Sequence, residues 1–189
     1  MTHFSTVKTD ALLDRHRQTP QQLAALEHLK ALGRGDFLSD PAVAQAIADG
    51  KLSTNMIDRL LKFDAKGTFD QNKLIGKLFE IQQFARVKAM YPNAVEQITI
   101  LTPSGERFRI DAMASYVDAD GKTQYVLFEF KSSATAGLTE SQIAGFDEFR
   151  EAGGTIVGKG KPGFSGDTYL SGSKVTVVHP GDPIPTPPT

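Results

Sequence analysis

Two charged residues interrupt a segment that otherwise has the composition of a buried β-strand. The segment is TQYVLFEFKSS, residues 123–133, and its charged members are Glu129 and Lys131. Alternate residues of a strand point to the same side, so this carboxylate and this ammonium share one face. On one face, the carboxylate is able to bind a cation and the ammonium is able to donate a proton. This strand is therefore the centre of a candidate site.

The turn before this strand sets its register with the preceding strand. That preceding strand is RFRIDAMASYV, residues 107–117, and the turn signal DADG follows it. We predict a three-residue loop over residues 119–121, with glycine in the left-handed position that closes such a hairpin. Asp118 then lies opposite Lys122. A two-residue turn would instead place Asp111 on the apolar face, where an unpaired carboxylate is costly to bury.

The predicted register collects the ionisable groups of both strands on one face. Asp111 falls opposite Glu129, and directly opposed side chains share a face. Asp111, Glu129 and Lys131 therefore converge, and Arg109 joins them from the same strand as Asp111. The predicted core face carries the intervening residues Ile110, Ala112, Phe128 and Phe130.

This group of side chains predicts a divalent metal site. Two carboxylates with Cβ atoms about 4.5–5.5 Å apart repel each other unless a cation lies between them. Hard oxygen ligands of this kind favour Mg²⁺ or Mn²⁺. Such a metal lowers the pKa of a bound water and neutralises charge that develops on a phosphoryl oxygen. Lys131 would orient or deprotonate that water, or stabilise the developing charge, and the set suits hydrolysis of a phosphodiester bond.

The elements around the two strands predict an α+β fold in the order α-β-β-β-α-β. A long amphipathic helix runs from Gln71 and is closed by Pro92, and EQITILT is a further strand. The segment TESQIAGFDEFREAGG is helical, with Ile143, Phe146 and Phe149 facing inward. TIVG and SKVTVVHP are candidate last strands.

The chain ends outside this core differ in character from it. Residues 1–69 predict a helical accessory region of three short helices, whose start signals include Asp40 followed by Pro41. Residues 70–180 form the predicted main domain. The tail GDPIPTPPT, residues 181–189, has no apolar periodicity and is predicted to be extended or disordered.

The pattern Asp111 with Glu129-x-Lys131, preceded and followed by a helix, resembles the PD-(D/E)XK nuclease superfamily. The resemblance implies a restriction-endonuclease-like core with a central mixed sheet. It implies that Asp111, Glu129 and the backbone carbonyl of Phe130 bind Mg²⁺ or Mn²⁺, and that Lys131 serves the attacking water. Ile110 stands where the motif has proline, which is a departure from the family pattern.

The resemblance also implies further site residues, for which ordinary structural roles remain open. Glu80 is a candidate additional metal ligand from the first helix, and a surface role is the alternative. Gln142 is a candidate substrate-binding residue, although Thr139-x-x-Gln142 is also a capping box. The remaining substrate-binding candidates are Ser132, Arg109, Lys159 and Lys161, the last two in a flexible glycine-rich loop.

Composition limits the class of protein and its partners. The chain has 189 residues, 40% of them hydrophobic, and it has no cysteine. No apolar run approaches the roughly 20 residues of a membrane span, and the start MTHFSTVKTD lacks the pattern of a secretory signal, so export would use another route. Because the net charge is −1, a nucleic-acid partner needs local positive charge or metal ions.

A second resemblance concerns biological role. The stretches GGTIVGKGKPGFSGDT and KVTVVHP are similar to the ends of toxin domains from bacterial polymorphic toxins and type VI secretion effectors. The similarity implies a DNA-degrading antibacterial effector that is made in the bacterial cytoplasm and delivered into a rival cell without a signal peptide. It also implies a cognate immunity protein, and contact between the N-terminal region and the delivery machinery.

The sequence therefore predicts a metal-dependent endonuclease that acts on DNA. Two alternatives stay open at this point. One is a restriction-type or repair-type nuclease of the same fold, and the other is a catalytically inactive nucleic-acid-binding module.

Overall fold

The computed structural model describes residue 31, residues 40–48 and residues 68–187 of the chain. The chain divides between Gln82 and Gln83 into two compact units. Most of the predicted helical accessory region, residues 1–69, lies outside the described residues. The predicted domain boundary between residues 69 and 70 remains a prediction.

The first described helix, α1, spans Pro41–Ala48 and begins at the predicted signal. The Asp40 Oδ1 atom accepts a 2.8 Å hydrogen bond from the Ala42 amide, and Pro41 occupies the first helical position, where its missing N–H costs nothing. The Asp40 Oδ2 atom also accepts a 2.8 Å hydrogen bond from Gln82 Nε2. Asp40 therefore both caps α1 and ties it to the next helix.

The second helix, α2, spans Thr68–Met90 and matches the predicted long amphipathic helix. Leu78, Ile81 and Val87 are buried along it. The helix ends where Tyr91 donates its amide to the Val87 carbonyl, immediately before Pro92. No helix within the described residues is long and apolar enough to span a membrane.

A mixed six-stranded sheet confirms the predicted α+β class and order of elements. The remaining elements are β1 Val95–Leu101, β2 Arg107–Val117, β3 Thr123–Phe130, α3 Glu140–Ala152, β4 Gly154–Ile156, β5 Gly160–Lys161, β6 Phe164–Ser165, β7 Tyr169–Leu170 and β8 Thr176–Val178. The sheet order is β7-β4-β1-β2-β3-β8, in which only the β3–β8 pair is parallel. Strands β5 and β6 form a separate two-stranded hairpin.

Helix α3 covers one face of this sheet through two aromatic residues. The Phe108 ring of β2 meets the Phe146 ring at 5.1 Å and the Phe149 ring at 5.8 Å, both edge to face. The prediction that Ile143 also faces inward is wrong, since 49% of its surface is exposed. Ile143 lies in the first turn of α3, which contacts the polar end of β3 rather than the apolar core.

The alternation of side chains between the two faces of the sheet is interrupted at Asp111. Before and after this residue, opposite sets of alternate positions of β2 face α3. Ile110 and Met113 of β2 lie in one buried cluster although strict alternation would separate them. At the same level of β1, Gln97 adopts a left-handed φ of 53° and its pairing with Asp111 is absent. The four predicted core residues, Ile110, Ala112, Phe128 and Phe130, are all buried, but Ile110 packs in the α3 cluster with Leu127, and Ala112 is not part of that cluster.

The β2–β3 hairpin has the predicted loop and register. Val117 pairs with Thr123, the Asp118 amide donates to the Lys122 carbonyl at 2.9 Å, and Gly121 has a left-handed φ of 77°. The Asp118 carboxylate accepts the amides of Asp120 and Lys122. The pKa of Asp118 is lowered by the Gln124 side chain and by these amides.

The predicted disordered tail is held in place over residues 182–185. Ile184 is buried, and the Pro185 carbonyl accepts a 2.9 Å hydrogen bond from the Tyr91 hydroxyl. Arg86 donates to the Asp182 carbonyl at 3.0 Å. This segment is extended, as one of the two predicted alternatives has it, and it is fixed because these groups anchor it.

Glu148 of α3 anchors the turn between β1 and β2. Its carboxylate accepts hydrogen bonds from the Thr102 hydroxyl at 2.7 Å, the Ser104 amide at 2.8 Å and the Ser104 hydroxyl at 2.5 Å. These bonds favour the ionised form, and they lower the pKa of Glu148.

We expect Gly121→Ala to lower the free energy of unfolding by roughly 1 kcal/mol, since an L-residue is strained in the left-handed region. A Cβ at Gly121 would meet no atom within 4 Å, so the cost is that of the backbone alone. Gly137→Ala is the matched control, because Gly137 has equally open surroundings and no left-handed φ. Urea denaturation measures both variants, and equal stabilities would contradict the assigned turn.

We expect the stability that Glu148 contributes to depend on pH. Its pKa is lowered in the folded protein, so the contribution is present above the unfolded-state pKa of about 4.3 and is lost as the pH falls through the folded-state pKa. Glu148→Gln should therefore be less stable than the wild type at pH 7, with a difference that shrinks below about pH 4. Urea denaturation at both pH values tests this, with Glu151→Gln as control; a difference independent of pH would contradict it.

Candidate active site

The β2–β3 ladder ends in a fork at Asp111. The last ladder pair is Ala112 with Phe128, so the predicted pairing of Asp111 with Glu129 is not part of the ladder. Continuation of the ladder would join the Phe130 amide to the Ile110 carbonyl. The Phe130 amide donates instead to Asp111 Oδ2 at 2.7 Å. The Asp111 carboxylate therefore lies between the strands, next to the residue that follows Glu129.

Glu129, Lys131 and Gln142 form a closed polar triangle beside this fork. The Glu129 Oε1 atom lies 3.0 Å from Lys131 Nζ and 2.6 Å from Gln142 Nε2. The Lys131 Nζ atom also donates to Gln142 Oε1 at 3.0 Å. Only 7% of the Glu129 side chain and 14% of the Lys131 side chain are exposed. The buried charges are thus paired with each other and with a neutral amide.

Gln142 forms the predicted capping box and also contacts the charged pair, while its role in substrate binding stays a prediction. Its side chain accepts the Thr139 amide at 3.1 Å while the Thr139 hydroxyl accepts the Gln142 amide, which is a complete capping box. The same side chain contacts Glu129 and Lys131. The start of α3 and the polar triangle therefore share one residue.

Strand β8 supports the charged end of β3 from its other side. The pairing is parallel, with Glu129 at the level of Val177, and the Lys131 amide donates to the Val178 carbonyl at 2.9 Å. His179 follows this strand, and its Nε2 atom lies 3.4 Å from the Ala136 carbonyl. The sequence predicts β8 as a strand but does not indicate that it pairs with β3, because a parallel partner from a distant segment leaves no local signal.

The other predicted substrate-binding residues are distributed over separate parts of the structure. Ser132 is half-buried, directly after Lys131. Arg109 is exposed, and because Phe108 and Ile110 beside it face the α3 cluster, its side chain points to the opposite face of the sheet. Lys159 and Lys161 are exposed in the β5–β6 hairpin. The predicted convergence of Arg109 with Glu129 and Lys131 is therefore not observed.

Glu80, the candidate ligand from the first helix, forms an ion pair within α2. Its Oε2 atom lies 2.8 Å from Lys77 Nζ, one turn earlier in the helix. Both side chains are partly exposed, so the pair contributes little to stability.

The oxygen atoms of Asp111 and Glu129 fit a hard divalent cation that needs only one or two ligands from the protein. The described residues contain no group of three or more His, Cys, Asp and Glu side chains placed to hold a metal. Mg²⁺ needs fewer, since it is commonly bound by one or two carboxylates together with water and substrate phosphates. Asp111 and Glu129 supply two carboxylates. The Phe130 carbonyl points to the same side of β3 as its amide, toward Asp111.

No family model matches the chain, and neither a curated protein nor a solved structure matches it significantly.

We expect Lys131→Met to destabilise the protein strongly, because it leaves the Glu129 carboxylate buried without its counter-ion. Removal of one partner from a buried ion pair costs roughly 3–5 kcal/mol. The double variant Glu129→Gln with Lys131→Met should recover much of this loss, since neither charge remains. Urea denaturation of the wild type, the two single variants and the double variant gives the coupling energy. Additive effects would show that the pair is not coupled.

Proposed function

We propose that the protein is a metal-dependent nuclease that hydrolyses phosphodiester bonds in DNA. One observation carries the proposal, namely the fork at which Asp111 bonds to the amide after Glu129 while Glu129 is paired with Lys131. Two carboxylates, a backbone carbonyl and an ammonium then occupy a few neighbouring positions of two strands. This set of groups suits metal-assisted phosphodiester hydrolysis.

Asp111, Glu129 and the Phe130 carbonyl would hold the cation in this proposal. When bound, Mg²⁺ or Mn²⁺ supplies Lewis-acid stabilisation of phosphate charge and lowers the pKa of a coordinated water. The Asp111 carboxylate is oriented for this task by the Phe130 amide. The Glu129 carboxylate is oriented by Gln142, whose NH₂ group donates to it at 2.6 Å.

Lys131 is the residue that we propose acts on the attacking water or on the phosphate. Its ammonium is held 3.0 Å from both Glu129 Oε1 and Gln142 Oε1, which fixes the position of the charge at the end of β3. From this position it either donates a hydrogen bond to a phosphate oxygen or exchanges a proton with the water. Because its side chain is only 14% exposed, its charge is weakly screened by solvent.

The proposal extends to a role as an antibacterial effector that a cognate immunity protein neutralises. Its support is the resemblance of residues 153–168 and 174–180 to the ends of toxin domains. In this role the protein acts on DNA in the cytoplasm of a rival cell, and its N-terminal region contacts the delivery machinery. A restriction-type or repair-type nuclease has the same chemistry without an immunity partner.

We expect the full chain to cleave plasmid DNA with Mg²⁺ or Mn²⁺ and to lose this activity in EDTA. Asp111→Asn, Glu129→Gln and Lys131→Met should each reduce the cleavage rate by about 100-fold or more, since each removes a metal ligand or a proton-transfer group. Asp120→Asn and Lys122→Met are matched controls, because they change the same residue types in the exposed hairpin loop. Agarose gel electrophoresis measures the loss of supercoiled plasmid.

The same assay separates the proposal from its alternatives. Cleavage that survives Asp111→Asn or Lys131→Met would refute the assignment of the site. A wild-type protein that binds DNA but cleaves it with neither metal would support the binding module instead.

A further inference from the structure

Hydrogen-bonded registers align one row of residues across four strands on the face of the sheet away from α3. Arg107 of β2 pairs with Leu101 of β1, Leu101 with Thr155 of β4, and Thr155 with Tyr169 of β7. The neighbouring row, Phe108, Ile100 and Ile156, is buried in the cluster under α3. Because neighbouring residues of a strand point to opposite sides, the first row faces away from α3.

We call this surface the outer face, and its residues are all exposed or half-buried. Arg107, Arg109 and Tyr169 are exposed, and the residues between them are half-buried. The outer face consists of Thr99, Leu101, Arg107, Arg109, Thr155, Val157 and Tyr169.

The outer face carries local positive charge on a chain with a net charge of −1. Neither Arg107 nor Arg109 has an ion pair or a side-chain hydrogen bond to another residue in the described ranges. No carboxylate occurs at the outer-face positions, and the acidic neighbour in sequence is Glu106 in the preceding turn. Two guanidinium groups two residues apart on one strand complement a polyanion with repeating phosphates.

Tyr169 presents an aromatic ring that is both fixed and exposed. Its hydroxyl donates to the Ala152 carbonyl at 2.7 Å, and the phenol end lies where a side chain of Gly153 would otherwise be. Despite these contacts, 60% of the residue is exposed. An aromatic ring held in this way loses little conformational entropy when a partner stacks on it.

We infer that the outer face binds single-stranded nucleic acid, with phosphates on Arg107 and Arg109 and a base stacked on Tyr169. The choice of a nucleic acid as the polyanion rests on the proposed function. A single strand is favoured over a duplex because stacking on Tyr169 needs an unpaired base with an open ring face. Three strand spacings separate Arg107 from Tyr169, about 14 Å, which corresponds to about four stacked nucleotides.

The outer face is continuous with the fork along β2. Arg109 precedes Asp111 by two residues, so their Cα atoms lie about 7 Å apart along the strand. A single strand that crosses Tyr169 and follows the arginines ends next to Asp111, on the side of the sheet opposite Glu129 and Lys131. In this proposal the outer face prefers unpaired or locally melted DNA to a duplex.

Binding of a labelled oligothymidylate to the full chain in EDTA tests this inference without cleavage. We expect Arg107→Gln with Arg109→Gln to reduce the slope of log affinity against log salt by about 1.4, which is 0.7 per lost phosphate contact. Tyr169→Leu should weaken binding by about tenfold, whereas Tyr169→Phe, which keeps the ring, should stay within about threefold. Fluorescence anisotropy measures affinity, and thermal unfolding verifies that each variant is folded.

Lys122→Gln with Lys174→Gln is the charge-matched control, since both lysines are exposed and lie away from the outer face. An unchanged salt slope in the double arginine variant, equal effects of Tyr169→Leu and Tyr169→Phe, or tighter binding of a matched duplex than of the single strand would overturn the inference. The experiments distinguish failure of the proposed nuclease activity from failure of the proposed outer-face binding. Binding as expected without cleavage in Mg²⁺ or Mn²⁺ refutes the nuclease, and cleavage with unaltered binding of the variants refutes the outer face.

Discussion

The hydrogen bond from the Phe130 amide to the Asp111 carboxylate is the contact on which the geometry of the fork depends. A buried backbone amide that leaves a β-ladder needs a new acceptor, or its burial costs free energy. Asp111 supplies that acceptor from the neighbouring strand, so β3 is able to separate from β2 without an unpaired donor. The bond also fixes which side of β3 the Phe130 carbonyl faces. An acidic side chain thus ends the ladder at the point where the candidate site begins.

The core tolerates this interruption because β1 is distorted at the same level. Gln97, opposite Asp111, takes a left-handed conformation, and beyond it the two strands present their other face to α3. Phe108 and Ile110 on one side of the switch, and Met113 on the other, consequently all pack in a single cluster. The switch leaves Asp111 in the plane between the strands rather than beneath the helix. Strain at one exposed glutamine therefore accompanies a continuous core around a polar fork.

The structural features that could be predicted from the sequence are those that depend on contacts between residues close together in the chain. The Asp118–Gly121 turn fixes the hairpin register through contacts within four residues, and Thr139 with Gln142 forms its capping box over a similar span. The conformation of Gln97 could not be predicted, because glutamine has no preference for positive φ and tertiary packing imposes it. Ile143 has the right helical spacing for the core, yet it lies beyond the reach of the cluster. The face of Arg109 followed from the switch at Gln97, and the sequence could not indicate it.

Gln142 joins the stability of α3 to the arrangement of the charged pair. Its carbonyl oxygen accepts from both the Thr139 amide and the Lys131 ammonium, and its NH₂ group donates to Glu129. In the reverse orientation the NH₂ group would face the Thr139 amide and the Lys131 ammonium, which are both donors, and the carbonyl oxygen would face the Glu129 carboxylate. Only one orientation therefore satisfies all three partners. A helix start that loosened would release the side chain that bonds to both Glu129 and Lys131. The first turn of α3 and the polar triangle therefore form one cooperative unit, and order at the candidate site requires order at this helix terminus.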